Sequence, residues 1–102
     1  MRIEITDFAK SSYREISSYI QERFGITTFL KFEREVKETG NALVRFPNLG
    51  KLEPLLSHRP HGMRSIVIGR LTKMIYYIED DVIYVVDFWS TRRDPDVLSG
   101  SI

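Results

Sequence analysis

The 102-residue chain predicts an α+β fold: a two-layer sandwich in the order β-α-α-β-β-β, with a helical hairpin packed on an antiparallel sheet. Three observations carry this reading. Apolar residues recur at helical steps through the first half of the chain. From Met63 the period changes to two, or the runs become continuously apolar. The helices then have one large apolar surface against which to bury their stripes, a face of that sheet.

Residues 2–6 alternate (Arg2, Ile3, Glu4, Ile5, Thr6), which predicts a short strand with one apolar face. Thr6 or Asp7 can cap the helix after it, since either side chain accepts from an orphan amide. That helix carries Ala9, Tyr13, Ile16, Ile20 and Phe24 on one stripe and stops at Gly25. A second helix begins after Ile26, capped by Thr27 or Thr28, with Phe29, Phe32, Val36 and Leu43 on its stripe and Gly40 between them. About three residues join the two helices, so they form an antiparallel hairpin. Pro47, Asn48 and Gly50 mark a loop. Leu52, Leu55 and Leu56 are expected to tuck beneath the sheet, and Pro54 argues against a long helix there. Strands are expected at about 63–69, 72–79 and 82–89, joined by Gly69-Arg70-Leu71 and by the acidic turn Glu79-Asp80-Asp81. The whole chain, 1–102, reads as one domain, with 96–102 as a flexible tail.

Composition narrows the function. The chain has no cysteine, which removes disulfides and cysteine zinc sites, and its two histidines make a poor metal site. No metal or cofactor is expected. No apolar run approaches the roughly 20 residues of a membrane span, and no segment reads as a signal peptide, so a cytoplasmic protein is expected. The net charge of +1 says nothing about nucleic acid. Local charge says more: residues 59–73 hold Arg59, Arg64, Arg70 and Lys73, with His58 and His61 nearby and no acid, and Arg92-Arg93 form a second basic pair. These cations either form an ordinary solvated rim or meet an anionic surface. Because the helices need one sheet face, the other is expected to be open and to carry function. Alternation puts Arg64, Ile66, Ile68 and Arg70 on one side of the first meander strand, with Met63, Ser65 and Val67 on the other.

The segment GMRSIVIGRLTKMIYYIEDDVIYVVDFWSTRRDP, Gly62 to Pro95, resembles the RelE/ParE toxin superfamily. Its order is a basic residue opening a strand (Arg64), a turn (Gly69), an apolar-Tyr pair (Ile75-Tyr76), an acidic turn, an apolar strand (Ile83 to Phe88) and a final arginine (Arg92-Arg93). TDFAKSSYREISSYI and FPNLGK agree in the first half, so the resemblance spans nearly the whole chain. It implies the toxin of a bacterial type II toxin–antitoxin pair, often a plasmid stabilisation system. It also implies a cognate antitoxin as partner, in a toxin–antitoxin heterotetramer or beside a toxin homodimer. RelE-like members cleave mRNA in the ribosomal A site; ParE-like members poison DNA gyrase and lack the nuclease residues.

Metal-free RNA cleavage must deprotonate the 2′-hydroxyl, stabilise the phosphorane charge and protonate the leaving oxygen. The resemblance places Arg64 at the family's first basic position, Lys73 where the family has an arginine, and Arg93 after the last strand. The three are expected to converge where the meander closes, and Arg93 either contacts a target or pairs with Asp87 or Asp94. The family's second lysine falls at Ile66 and its C-terminal tyrosine near Ser99; neither residue transfers a proton or holds a charge. His61, with His58, can substitute as acid or base, or is an ordinary loop histidine. Arg59, Arg70, Arg92 and Trp89 are candidate contacts to target or antitoxin, with burial the alternative for Trp89. Tyr76 is read as a packing residue. Tyr77 and Tyr84 either stack on one another or on bases. The incomplete catalytic set favours a gyrase poison over an mRNA endoribonuclease; a non-toxic binding module of the same fold is a third reading. The antitoxin is expected to lay acidic residues across Arg64, Lys73, Arg92 and Arg93.

Overall fold

The computed structural model describes residues 1–59, 61–70 and 72–90. Arg92, Arg93 and the expected tail 96–102 lie outside the described residues. The elements run β1 (Arg2–Ile5), α1 (Asp7–Phe24), α2 (Ile26–Arg45), β2 (Lys51–Leu52), a 3₁₀ turn (Pro54–Leu56), β3 (Arg64–Ile68), β4 (Thr72–Glu79) and β5 (Val82–Ser90). The sheet has five strands in the order β1-β5-β4-β3-β2. The α+β sandwich with a helical hairpin on one sheet face is as the sequence predicts.

Two features of the sheet differ from expectation. β1 pairs parallel to β5, Ile3 beside Ile83 and Ile5 beside Val85, so the sheet is mixed rather than antiparallel. Alternation reveals which face a strand buries but carries no information on its direction. A parallel pair needs a long crossover, and everything between Thr6 and Val82 supplies one. The second is β2, a two-residue edge strand that pairs Lys51 with Ser65 and Leu52 with Arg64. It is too short to leave a periodic signal. It also holds Leu52 at the rim, 62% exposed, so only Leu56 and part of Leu55 tuck beneath the sheet.

Thr6 ends β1 and caps α1: its hydroxyl accepts from the Ala9 amide at 3.1 Å, satisfying a donor that the first turn leaves orphaned. Asp7 becomes the first helical residue, where its charge suits the helix N-terminus. Ala9 and Ile16 are buried against β5 while Tyr13 and Ile20 pack at the margin. Phe24 leaves the expected stripe: it is 48% exposed and meets Tyr19 edge-on at 6.3 Å. The helices are joined by Gly25 alone, at φ +92°. This left-handed conformation turns the chain in one residue, so α2 starts at Ile26 without a threonine cap. The Gly25 amide donates to Gln21 and its carbonyl accepts from Phe29.

Phe32 and Leu43 of α2 complete the helix-side core with Ile68, Met74, Tyr76, Ile83, Val85 and Phe88. Tyr13 bridges the layers, stacked on Phe32 and edge-on to Phe88 at centroid distances of 5.7 and 5.3 Å. The opposite face is not open along its length, as the sequence led us to expect. The 3₁₀ turn folds over it, and Leu56, Met63, Ile75 and Trp89 form a second cluster. The hairpin turn after β4 places Asp80 and Asp81 at φ +50° and +63°, the left-handed values expected of its acids. The register shifts within this hairpin: Tyr76 faces Val85 but Ile75 faces Asp87, leaving Val86 as a bulge.

The connection after α2 is pinned to the middle of the sheet. The fully buried Tyr76 hydroxyl donates to the Pro47 carbonyl and accepts from the Gly50 amide, both at 2.8 Å. A Cβ at Gly50 would stand 2.7 Å from that hydroxyl oxygen and 2.8 Å from the Ser65 carbonyl, so the approach itself requires glycine. Tyr76→Phe leaves the Gly50 amide and Pro47 carbonyl without their partner. It is expected to lower unfolding free energy by about 1–3 kcal/mol, read by urea denaturation, with an unchanged far-UV spectrum.

Candidate functional site

β3 and β4 position the basic residues, and their register separates them. Arg64 lies opposite Tyr76, whereas Lys73 lies opposite Val67. Lys73 is three residues from Tyr76, so the pleat sends Arg64 to the helix side and Lys73 to the other. Arg64 and Lys73 therefore do not converge. The expected third member, Arg93, lies outside the described residues.

Each of these two cations has an intramolecular partner. The Arg64 guanidinium donates to the Gly50 carbonyl at 2.8 Å, on the same loop residue whose amide Tyr76 holds. On the other face, Lys73 Nζ donates to Glu53 Oε2 at 3.1 Å, and the Ser65 hydroxyl donates to the same oxygen at 2.9 Å. The Glu53 side chain is 3% exposed. Its second oxygen accepts from the Leu55 amide, opening the 3₁₀ turn. Lys73 also lies over the Trp89 ring at 5.2 Å, a cation–π contact. Trp89 itself is 4% exposed and belongs to the second cluster, so of its two expected fates burial is the one realised.

Electrostatics agree with a structural role. Burial works to raise the Glu53 carboxyl, but the Lys73 ammonium, the Ser65 hydroxyl and the Leu55 amide outweigh it and hold the carboxyl below its ordinary value of 4.5. Burial pushes the Tyr76 phenol up, against the opposing Gly50 amide and Arg64 charge. Its proton and a lone pair are both committed to the loop, which bears out the packing reading. Ile66, at the position of the family's second lysine, packs against the helix-side core.

The remaining candidates are dispersed. Arg59 comes just after the 3₁₀ turn, its amide bonded to the Leu56 carbonyl. Arg70 is exposed at the β3–β4 turn, beside a groove that includes Phe24, Phe32 and Ile68. His58 is exposed. His61 stacks on Tyr77 at 4.2 Å with its Nε2 3.9 Å from Glu79 Oε2. Tyr77 stacks in turn on Tyr84 at 5.1 Å, so the two tyrosines stack on one another. Glu53 is the residue that sequence reasoning missed. Its signal, a lone acid before Pro54 in an otherwise basic stretch, gives no hint that it reaches β3 and β4.

The Lys73–Glu53 pair generates a two-part prediction. Lys73→Met strands a buried carboxylate and is expected to cost about 3 kcal/mol, the low end for breaking a buried pair. Because the folded carboxyl is held low, the pair's contribution is complete above the ordinary glutamate value and is lost as pH falls through the depressed one. Stability against urea should therefore fall across that acidic window in the parent chain more steeply than in Glu53→Gln.

Among the described residues, no helix is long and apolar enough to cross a membrane. No curated protein sequence matches the chain significantly. Solved structures that share its fold include two toxin–antitoxin assemblies. One, described as a chromosomal ParDE TA system from P. aeruginosa, superposes with a TM-score of 0.70 at 20% identity, covering 88% of this chain and 95% of that one. The other, a YoeB–YefM complex from Staphylococcus aureus, gives a TM-score of 0.56 at 24% identity, covering 87% and 97%. The family model for the ParE toxin of the type II toxin–antitoxin system parDE matches residues 3–95. With nearly the whole chain matched and the same two-helix, mixed-sheet architecture present, this protein belongs to the ParE toxin family of type II toxin–antitoxin systems.

Proposed function

We propose that this toxin arrests growth by binding DNA gyrase, is neutralised by a cognate antitoxin, and does not cleave mRNA. The observation that carries the reading is the Lys73–Glu53 pair. A cation held at 3.1 Å by a buried carboxylate already has its counter-charge, and a phosphorane would have to displace it. Arg64, on the opposite face, is bonded to the Gly50 carbonyl. Ile66 packs with the core where a second lysine would be needed. The Leu56, Met63, Ile75 and Trp89 cluster occupies part of the face on which the expected nuclease site would lie. Cleavage needs charge aimed at the developing oxyanion, and these side chains are aimed at the protein itself. The family match favours the same mechanism.

The antitoxin is implied by membership of the family. Arg59 after the 3₁₀ turn, Arg70 on the β3–β4 turn and Arg92-Arg93 later in the chain than β5 are proposed as contacts for its acidic residues or for the target. Arg93→Ala is expected to reduce growth arrest with an unchanged melting temperature; a matching loss of stability would make Arg93 a structural residue instead.

Induced expression should stop growth, raise the SOS response and leave a gyrase-linked double-strand break pattern, while primer extension on bulk mRNA shows no new cleavage sites. Co-expression of the antitoxin encoded beside it should restore growth. Ribosome-dependent mRNA cuts without DNA breaks would replace this reading with the endoribonuclease. Unimpeded growth would replace it with a non-toxic binding module.

A further inference from the structure

The His61, Tyr77 and Tyr84 rings form a stack at the margin of the second cluster, against which Tyr77 packs. Tyr77 and Tyr84 are cross-strand partners on β4 and β5, on the sheet face opposite the helices. Their rings lie 5.1 Å apart and 24° from parallel, and His61 continues the stack at 4.2 Å and 10°. All three are half-buried, so the stack borders solvent.

Stacked aromatic rings at a surface can receive either bases or planar cations, and the surrounding charge decides between them. Here it is acidic. Glu79 Oε2 lies 3.9 Å from His61 Nε2, and Asp80 and Asp81 come next in the hairpin turn. Glu4 of β1 is in register with Tyr84. The one nearby cation on β1, Arg2, is paired with Glu4 at 3.1 Å. Burial pushes the Tyr77 phenol up, and the neighbouring Glu79 carboxylate adds to it. A nucleic acid would bring phosphates against these carboxylates. An arginine has the reverse fit: its plane extends an aromatic stack and its fork matches a carboxylate.

We propose that the His61–Tyr77–Tyr84 stack is a docking surface for an arginine-bearing segment of a protein partner, with the guanidinium extending the stack and paired to Glu79. The surface is distinct from the residues invoked for the toxin mechanism, and its role is independent of whether gyrase is the target.

The test uses the full chain and three probes: the peptide acetyl-Gly-Arg-Gly-Arg-Gly-amide, its lysine counterpart and an oligothymidylate. Binding is tracked by NMR of the assigned Tyr77, Tyr84 and His61 ring protons. The arginine peptide is expected to shift these rings selectively and more strongly than the lysine peptide. Tyr84→Leu and Glu79→Gln should each weaken the interaction roughly two- to five-fold, the range of an exposed cation–π contact, while the core methyl resonances stay in place. Leucine keeps apolar bulk on the strand, so loss of binding is separable from loss of fold. The proposal is overturned if the arginine peptide leaves the rings unshifted at millimolar concentration. It is equally overturned if both variants bind as the parent does, or if oligothymidylate shifts the same rings more than the arginine peptide.

Discussion

The chain must carry its backbone from the helical layer, around the edge of the sheet, to the opposite face, and β4 holds that passage from both sides. On the helix side the buried Tyr76 hydroxyl grips Pro47 and Gly50. On the other side Lys73, three residues earlier on the same strand, grips Glu53 with help from Ser65. Between the two grips lie β2 and the start of the 3₁₀ turn. The edge pairing of β2 with β3, the placement of Leu56 over Ile75 and Trp89, and the direction from which β3 enters the sheet all depend on these grips. A loop of this length has ample conformational entropy to lose. The structure offsets that loss with hydrogen bonds to groups that are themselves buried, where an unmade bond is expensive.

The same economy shapes the functional site. Of the residues that the resemblance marks out, Arg64, Lys73 and Tyr76 are each bonded to the connecting segment, and Arg93 lies outside the described residues. On the proposed reading, the toxin needs a stable surface with which to engage a partner and no proton relay. Polar residues at inherited positions can then serve the fold, with Glu53 as the counter-charge that commits Lys73 to it.

Much of the architecture was legible in the sequence because it is written in periodicity. The stripe of Ala9, Tyr13, Ile16 and Ile20, the change of period at Met63, and the acidic turn at Asp80-Asp81 each have a local cause. What was illegible depends on separations that periodicity does not encode. The parallel pairing of β1 with β5 is a matter of chain direction. The single-residue link at Gly25 depends on one φ value. The roof over the second sheet face depends on Glu53 reaching two strands that come later in the chain. The separation of Arg64 from Lys73 was illegible for a related reason. Arg64 and Lys73 look like members of one basic cluster when read along the chain, and an odd register offset puts a sheet between them.

On the proposed reading, Lys73 serves the fold and not a cleavage reaction. Removing the cation and its buried counter-charge together tests it most directly, since the pair can be replaced without stranding a charge. Growth arrest by Lys73→Met/Glu53→Gln, induced without antitoxin and compared with the parent at matched soluble levels and after confirming a parent-like melting temperature, should match the parent's. Loss of arrest in a double variant that is as stable as the parent would contradict the account and return Lys73 to the reacting site.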